Sequence, residues 1–177
     1  MSFEIVRQHD IKDCGAACLS MICRHYRLKL PLSAFREYIK VDNNGASIYG
    51  VVTGAKEVGL AAVALQGSPQ EFIDSYQKNE FSLPLIARVL IDGMLEHFVV
   101  IYKITAKHIY TADPAKGKVR YTKKDFFAIW TGHIIVFQKT ADFVCKNECK
   151  GTLSRFIALL WPQKRLLAGI SLISLLI

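Results

Sequence analysis

Gln8-His9-Asp10-Ile11-Lys12-Asp13-Cys14-Gly15-Ala16-Ala17-Cys18-Leu19 is the stretch on which the fold turns, because it sets a thiol at the first turn of an expected buried helix. Asp13 is a favourable N-cap. After it Ala17, Cys18, Met21, Ile22 and His25 recur at helical spacing, with Leu19, Cys23 and Tyr26 widening the apolar face. Free N–H groups and the macrodipole at a helix tip favour a thiolate, and such settings lower a cysteine pKa from about 8.5 to roughly 3.5 to 7.5. Gly15 leaves no side chain to obstruct a carbonyl approaching the sulfur, and the Gln8 amide can reach back to an oxyanion beside the Cys14 N–H. Spacing alone is accounted for better by a plain core cysteine, since free cysteines are among the most buried residues.

Outward from this helix the chain reads as helices first and sheet afterwards. Pro31 marks a connection, Ser33 is a plausible cap for a short helix over 34–40, and Asp42-Asn43-Asn44-Gly45 has loop chemistry. Ser47 caps a third helix that runs to about Val58, with Gly59 in the C′ position. Residues 61–66 read as a strand. Ser68-Pro69-Gln70-Glu71 then starts a helix with an N-cap serine, a proline at N1 and a capping-box glutamate. Strands follow over 83–91, 97–105, 108–113, 118–122 and 133–139, with a short helix over 123–130 before the last. Short turns between successive strands predict an antiparallel sheet, hence an α+β fold with a cleft where the N-terminal helical part meets the sheet.

The 177 residues suffice for a real core, and 51% of them are hydrophobic. The net charge of +8 raises an anionic partner, but no basic cluster interleaves with stacking aromatics and no helix-turn-helix or zinc-finger pattern is present, so nucleic-acid binding is not expected. Five cysteines stand at 14, 18, 23, 145 and 149, an odd number and poorly spaced for a disulfide framework, which fits a reducing cytoplasm. Cys145 and Cys149 lack a second ligand pair and read as linker thiols rather than half a metal site. No Gly-x-x-x-x-Gly-Lys-Ser/Thr loop occurs, so nucleotide binding by that device is not expected of these residues, nor is any other cofactor.

A cysteine nucleophile needs a base, and the base needs an acceptor to orient it. Of the five histidines, His25 lies about three turns from Cys14 and cannot reach it, His9 belongs to the lead-in, and His108 and His133 open strands. His97 opens a strongly apolar strand, and Asp113 closes the next. A hairpin turning near Ala106-Lys107 brings these two ends within about one or two residues of register. Taken singly, His97 also fits a surface histidine and Asp113-Pro114 also fits a plain turn.

Gln8 together with the run Asp13 to Leu19 resembles the motif of the double-glycine leader peptidases, the papain-like cysteine peptidase domains of bacterial ABC exporters for bacteriocins, lantibiotics and peptide pheromones. The resemblance covers about residues 5–140. It implies a cysteine peptidase domain over 1–140 with Cys14 as nucleophile, Gln8 in the oxyanion hole, His97 in His-Phe-Val-Val as base and Asp113 in Ala-Asp-Pro as orienter. Trp130-Thr131-Gly132 also resembles a family feature, with Trp130 read as core or cleft wall. The implied reaction removes a leader after a Gly-Gly or Gly-Ala pair. The implied partners are a precursor peptide with an amphipathic helical leader, docked on a shallow apolar patch, and the transmembrane and ATP-binding parts of the same exporter. A non-cleaving leader-docking module is the alternative, and a thiol redox or metal sensor a third. Residues 141–152 read as a linker, and 153–177 as an amphipathic helix followed by the start of a transmembrane helix, which attaches the domain to the membrane. The basic residues just before that apolar run would hold the domain on the cytoplasmic face.

Overall fold

The computed structural model describes residues 3–41 and 45–148. The chain divides into two units, Met1–Asn147 and Glu148–Ile177, and the first carries all that follows. The expected amphipathic and transmembrane segment over 153–177, like the end of the expected linker, lies outside the described residues. Among the described residues no helix is long and apolar enough to cross a membrane.

At the centre stands α1 (Cys14–His25), every residue of which is buried from Cys14 to Cys23. A helix apolar on all sides must be enclosed, and α2 (Leu32–Ile39), α3 (Ile48–Glu57) and one face of the sheet enclose it. Ser47 caps α3 by accepting from the Gly50 N–H at 2.9 Å, and Gly59 takes the left-handed conformation just beyond its end. Ser33 does not cap α2, which begins a turn's fraction earlier behind Pro31, whose fixed φ of -65° starts the helix without a side-chain cap.

Six strands form one sheet in the order β1-β6-β2-β3-β4-β5, all pairs antiparallel. They are β1 (Leu60–Gln66), β2 (Leu85–Ile91), β3 (Leu95–Ile104), β4 (His108–Asp113), β5 (Gly117–Thr122) and β6 (Trp130–Lys139). Alternation divides the side chains: Ile86, Phe98, Val100, Ala112, Ile135 and Phe137 face the helices, while Leu85, Ala87, Val99, Ile101, Ile109 and Ile134 build a second core on the other face. That second core takes Phe72 of α4 (Pro69–Gln77), whose capping box forms as expected, and Phe126 of α5 (Lys123–Ile129). Trp130 belongs to the same cluster, its ring 5.4 Å from that of Phe72 and its Nε1–H donating to the His133 carbonyl. β6 begins at Trp130 rather than at His133, and β3 at Leu95 rather than at His97, so His97 is the third residue of its strand.

Residues 141–147 run back along the helical side. Phe143 packs edge-on to Tyr26, and Lys29 N–H donates to the Lys146 carbonyl at 2.8 Å.

Candidate active site

Cys14 opens α1, but Asp13 does not cap that helix. Asp13 has helical φ/ψ, because a single 3-10 turn over Ile11–Asp13 precedes α1, and Asp10 is the residue that caps this turn. Asp13 instead points its carboxylate inward, where it accepts the His9 and Asp10 N–H groups at 3.1 and 2.9 Å and pairs with Arg36 of α2 through both oxygens. A carboxylate this buried needs all its lone pairs used, and the arginine fork and the two amides supply four donors. Arg36 holds the Asp13 carboxyl below the usual carboxylate range.

Gly15 serves packing and not substrate access. A Cβ placed there would sit 2.4 Å from Ala46 Cβ and 3.2 Å from Val51, so the bare backbone lets α3 and its leading loop close on α1. Gln8 is tied to the sheet half through its N–H, which donates to the Pro114 carbonyl at 3.2 Å. Its Oε1 is buried and has no hydrogen-bond partner among the described residues.

His97 and Asp113 meet, with Nε2–H donating to Oδ1 at 2.9 Å, both side chains buried. Asp113 Oδ1 also accepts the Ala115 and Lys116 N–H groups at 2.7 and 3.2 Å, so the turn after β4 fixes its orientation. Cys14, at the tip of α1, is the other group that acts on the imidazole. Burial alone would depress the imidazole, but hydrogen bonds and charge from Asp113 and Cys14 outweigh it and lift His97 to about 9. Asp113 moves the other way: burial raises it, and His97 with the two turn amides pulls it below its ordinary value. Cys18, one turn below, donates to the Phe98 carbonyl at 3.2 Å, and burial raises it well above a normal thiol.

Of the four residues singled out in the sequence, Cys14, His97 and Asp113 thus act on one another, and Gln8 is held beside Asp113 through its N–H bond to Pro114. Such an arrangement can pass a proton between sulfur and imidazole and hold the resulting imidazolium against a carboxylate. Arg36 is the neighbour that sequence reading passed over, because one arginine on the polar side of a short helix carries no signal of its own.

A helical layer that presents a cysteine at a helix tip to a histidine and aspartate on an antiparallel sheet is the architecture of papain-like cysteine peptidases. The chain belongs to the Peptidase C39 family, whose model matches residues 2–142. Its fold is similar to that of the peptidase domain of Streptococcus ComA, a bi-functional ABC transporter involved in a quorum sensing pathway, with a TM-score of 0.72, 26% identity and coverage of 78% of this chain and all of that one. A double glycine motif protease from an AMS/PCAT transporter, solved in complex with the leader peptide, matches with a TM-score of 0.69 and 29% identity over 78% of this chain and 93% of that chain. In sequence the chain is 34% identical over 92% of its length to the lactococcin-G-processing and transport ATP-binding protein LagD of Lactococcus lactis. It is 30% identical over 98% of its length to the mesentericin-Y105 transport/processing ATP-binding protein MesD of Leuconostoc mesenteroides. The chain spans about a quarter of the length of these curated relatives.

Proposed function

We propose that this domain is a cysteine endopeptidase that removes the leader from a precursor peptide after a Gly-Gly or Gly-Ala pair, with Cys14 as nucleophile, His97 as general base and acid, and Asp113 as its orienter. The observation that carries this reading is the buried His97–Asp113 hydrogen bond at 2.9 Å with Cys14 beside it, the two neighbours together lifting the imidazole well above its ordinary value. His97 takes the sulfhydryl proton as sulfur attacks the scissile carbonyl carbon. The oxyanion is met by the Cys14 N–H and by the Nε2–H of the Gln8 amide. Protonated His97 then gives its proton to the departing amine, leaving a thioester. Water, deprotonated by His97, releases the leader acid and restores the thiol.

The substrate class follows from the relatives, one of which was solved with a leader peptide bound. An apolar groove on the sheet face away from α1 suits an amphipathic leader helix. It is formed by two adjoining hollows of about 550 and 350 Å³, lined by Val63, Phe81 and Val136 and by Leu65, Trp130 and Ile134. Val63 and Leu65 are 54% and 42% exposed there, unusual for branched aliphatics on a strand. The groove leads towards the sheet end that bears His97, since Val89 pairs with Trp130 on one side and His97 on the other. In the whole protein the domain works at the cytoplasmic face of the membrane, attached through the segment after residue 152 to transmembrane and ATP-binding parts, a reading supported by relatives named as processing and transport ATP-binding proteins.

The test is incubation of the chain with a precursor whose leader ends in Gly-Gly, read by mass spectrometry. Cleavage after the pair that disappears in Cys14→Ala is expected. Cleavage surviving that change refutes the nucleophile, and binding without product by the wild type supports a non-cleaving docking module instead.

A further inference from the structure

We propose that Arg36 is a positioning residue for this site, present to cancel the charge of Asp13 so that a carboxylate can clamp the entrance to α1 without opposing ionisation of the adjacent sulfur. The inference rests on the reading of Cys14 as nucleophile.

Two demands meet at the tip of α1. The chain must turn sharply between Gln8 and Cys14, and it does so because the Asp13 carboxylate gathers the His9 and Asp10 N–H groups. A neutral side chain accepts these two bonds less strongly than an ionised one. That clamp, however, puts a buried negative charge on the residue just before the nucleophile, and a like charge nearby disfavours an anion. Arg36 removes the conflict. It reaches from α2 with Nε 2.6 Å from Oδ1 and its terminal nitrogen on Oδ2, a two-point pairing that a lysine cannot copy. The pair is neutral as a unit, so the clamp costs the sulfur little.

The other groups around Cys14 do not perform this task. His97 of β3 is the proton acceptor, and Asp113 of β4 adds negative charge behind it. Cys18 of α1 is held un-ionised by burial. Asp10, on the entry turn, is engaged with the Lys12 N–H, and half-buried Lys12 makes no ion pair with Asp13, whose oxygens are taken by Arg36 and the two amides. No residue of α3 within the close packing around Gly15 carries a charge.

A brace and a counter-charge predict different signs. The experiment uses the 177-residue chain and measures the rate at which iodoacetamide alkylates Cys14, read on the Cys14-containing fragment by mass spectrometry across a pH series. R36Q leaves Asp13 unbalanced, and Cys14 alkylation at neutral pH is expected to slow about tenfold, with the profile displaced to higher pH by roughly one unit. D13N leaves Arg36 unbalanced and is expected to displace the profile the other way. The double variant, with neither charge, is expected to return close to wild type. If R36Q and D13N both slow alkylation, Arg36 is a brace and the proposal is overturned. The same follows if R36Q leaves the profile in place. Should R36Q fail to fold, the direction of the D13N displacement decides alone. A wild-type Cys14 no more reactive than exposed Cys145 would overturn the nucleophile reading and this inference together, whereas a reactive Cys14 unmoved by R36Q overturns only the counter-charge.

Discussion

His97 and Asp113 lie diagonally across the β3–β4 hairpin, Nε2 of one 2.9 Å from Oδ1 of the other, and one extra residue in β3 puts them on the same face. Near the turn Ile104 pairs with Ile109 and Lys103 with Tyr110; continued unbroken, that ladder sets Asp113 opposite Val100, on the face away from His97. The register instead shifts between Ile101 and Lys103, so that Ile101 pairs with Thr111 and Val100 with Ala112. Asp113 then falls opposite Val99, two residues from His97 and on its side of the sheet. Tyr102, the residue left over, is seated by its stack on Phe3 at 5.0 Å.

Asp113→Asn keeps the shape of the orienter and removes its charge. The expected result is a fall in kcat of roughly 100- to 10,000-fold with KM little changed, measured on a Gly-Gly precursor. In an NMR titration the His97 imidazole should then move down from about 9.

Stability should carry the same signature. His97 is raised from 6.5 to about 9, so the folded state holds its proton more tightly, and this contribution is whole below pH 6.5 and lost as pH rises through 9. Melting temperature is therefore expected to fall over that window. His97→Ala should flatten the fall. At the acid end Asp113 and Asp13 act in the opposite sense, since both are lowered and their contribution is lost as pH drops through their folded-state values.

Gly15→Ala places a methyl 2.4 Å from Ala46 Cβ. Overpacking of this kind costs roughly 1 to 3 kcal/mol, so denaturant unfolding should show a lower midpoint. A variant of normal stability and normal activity would show that the loop before α3 yields freely.

Leu65→Asp puts a charge in the groove assigned to the leader while leaving the cysteine, histidine and aspartate untouched. KM for a full-length leader should rise about tenfold or more with kcat nearly constant, whereas a short peptide that carries only the Gly-Gly end should be cut equally by both proteins.

Ser68→Ala removes the cap of α4, which accepts the Glu71 N–H at 3.3 Å and exchanges bonds with the Glu71 carboxylate. About 1 kcal/mol of stability should be lost with no change in cleavage of a short peptide that carries only the Gly-Gly end, because α4 borders the groove assigned to the leader and not the cysteine.

The sequence alone determined the parts whose signals are local: the enclosed helix with a thiol at its tip, the caps at Ser47 and Ser68 and the order helices then strands. Its resemblance to a known family also put forward Gln8, Cys14, His97 and Asp113 as the side chains to look for. What it could not decide was everything that depends on a distant partner. Asp13 looked like a cap and is an acceptor for an arginine 23 residues away; Gly15 looked like room for substrate and is room for α3. β6 inserts between β1 and β2, a pairing that no short turn announces. The alignment of His97 with Asp113 hangs on a bulge whose residue is chosen by packing against Phe3, on the lead-in to the molecule. Capping and periodicity are energies between near neighbours and so are written along the chain; register, burial of a charge and close approach of helices are energies between surfaces, and they exist only once the surfaces have met.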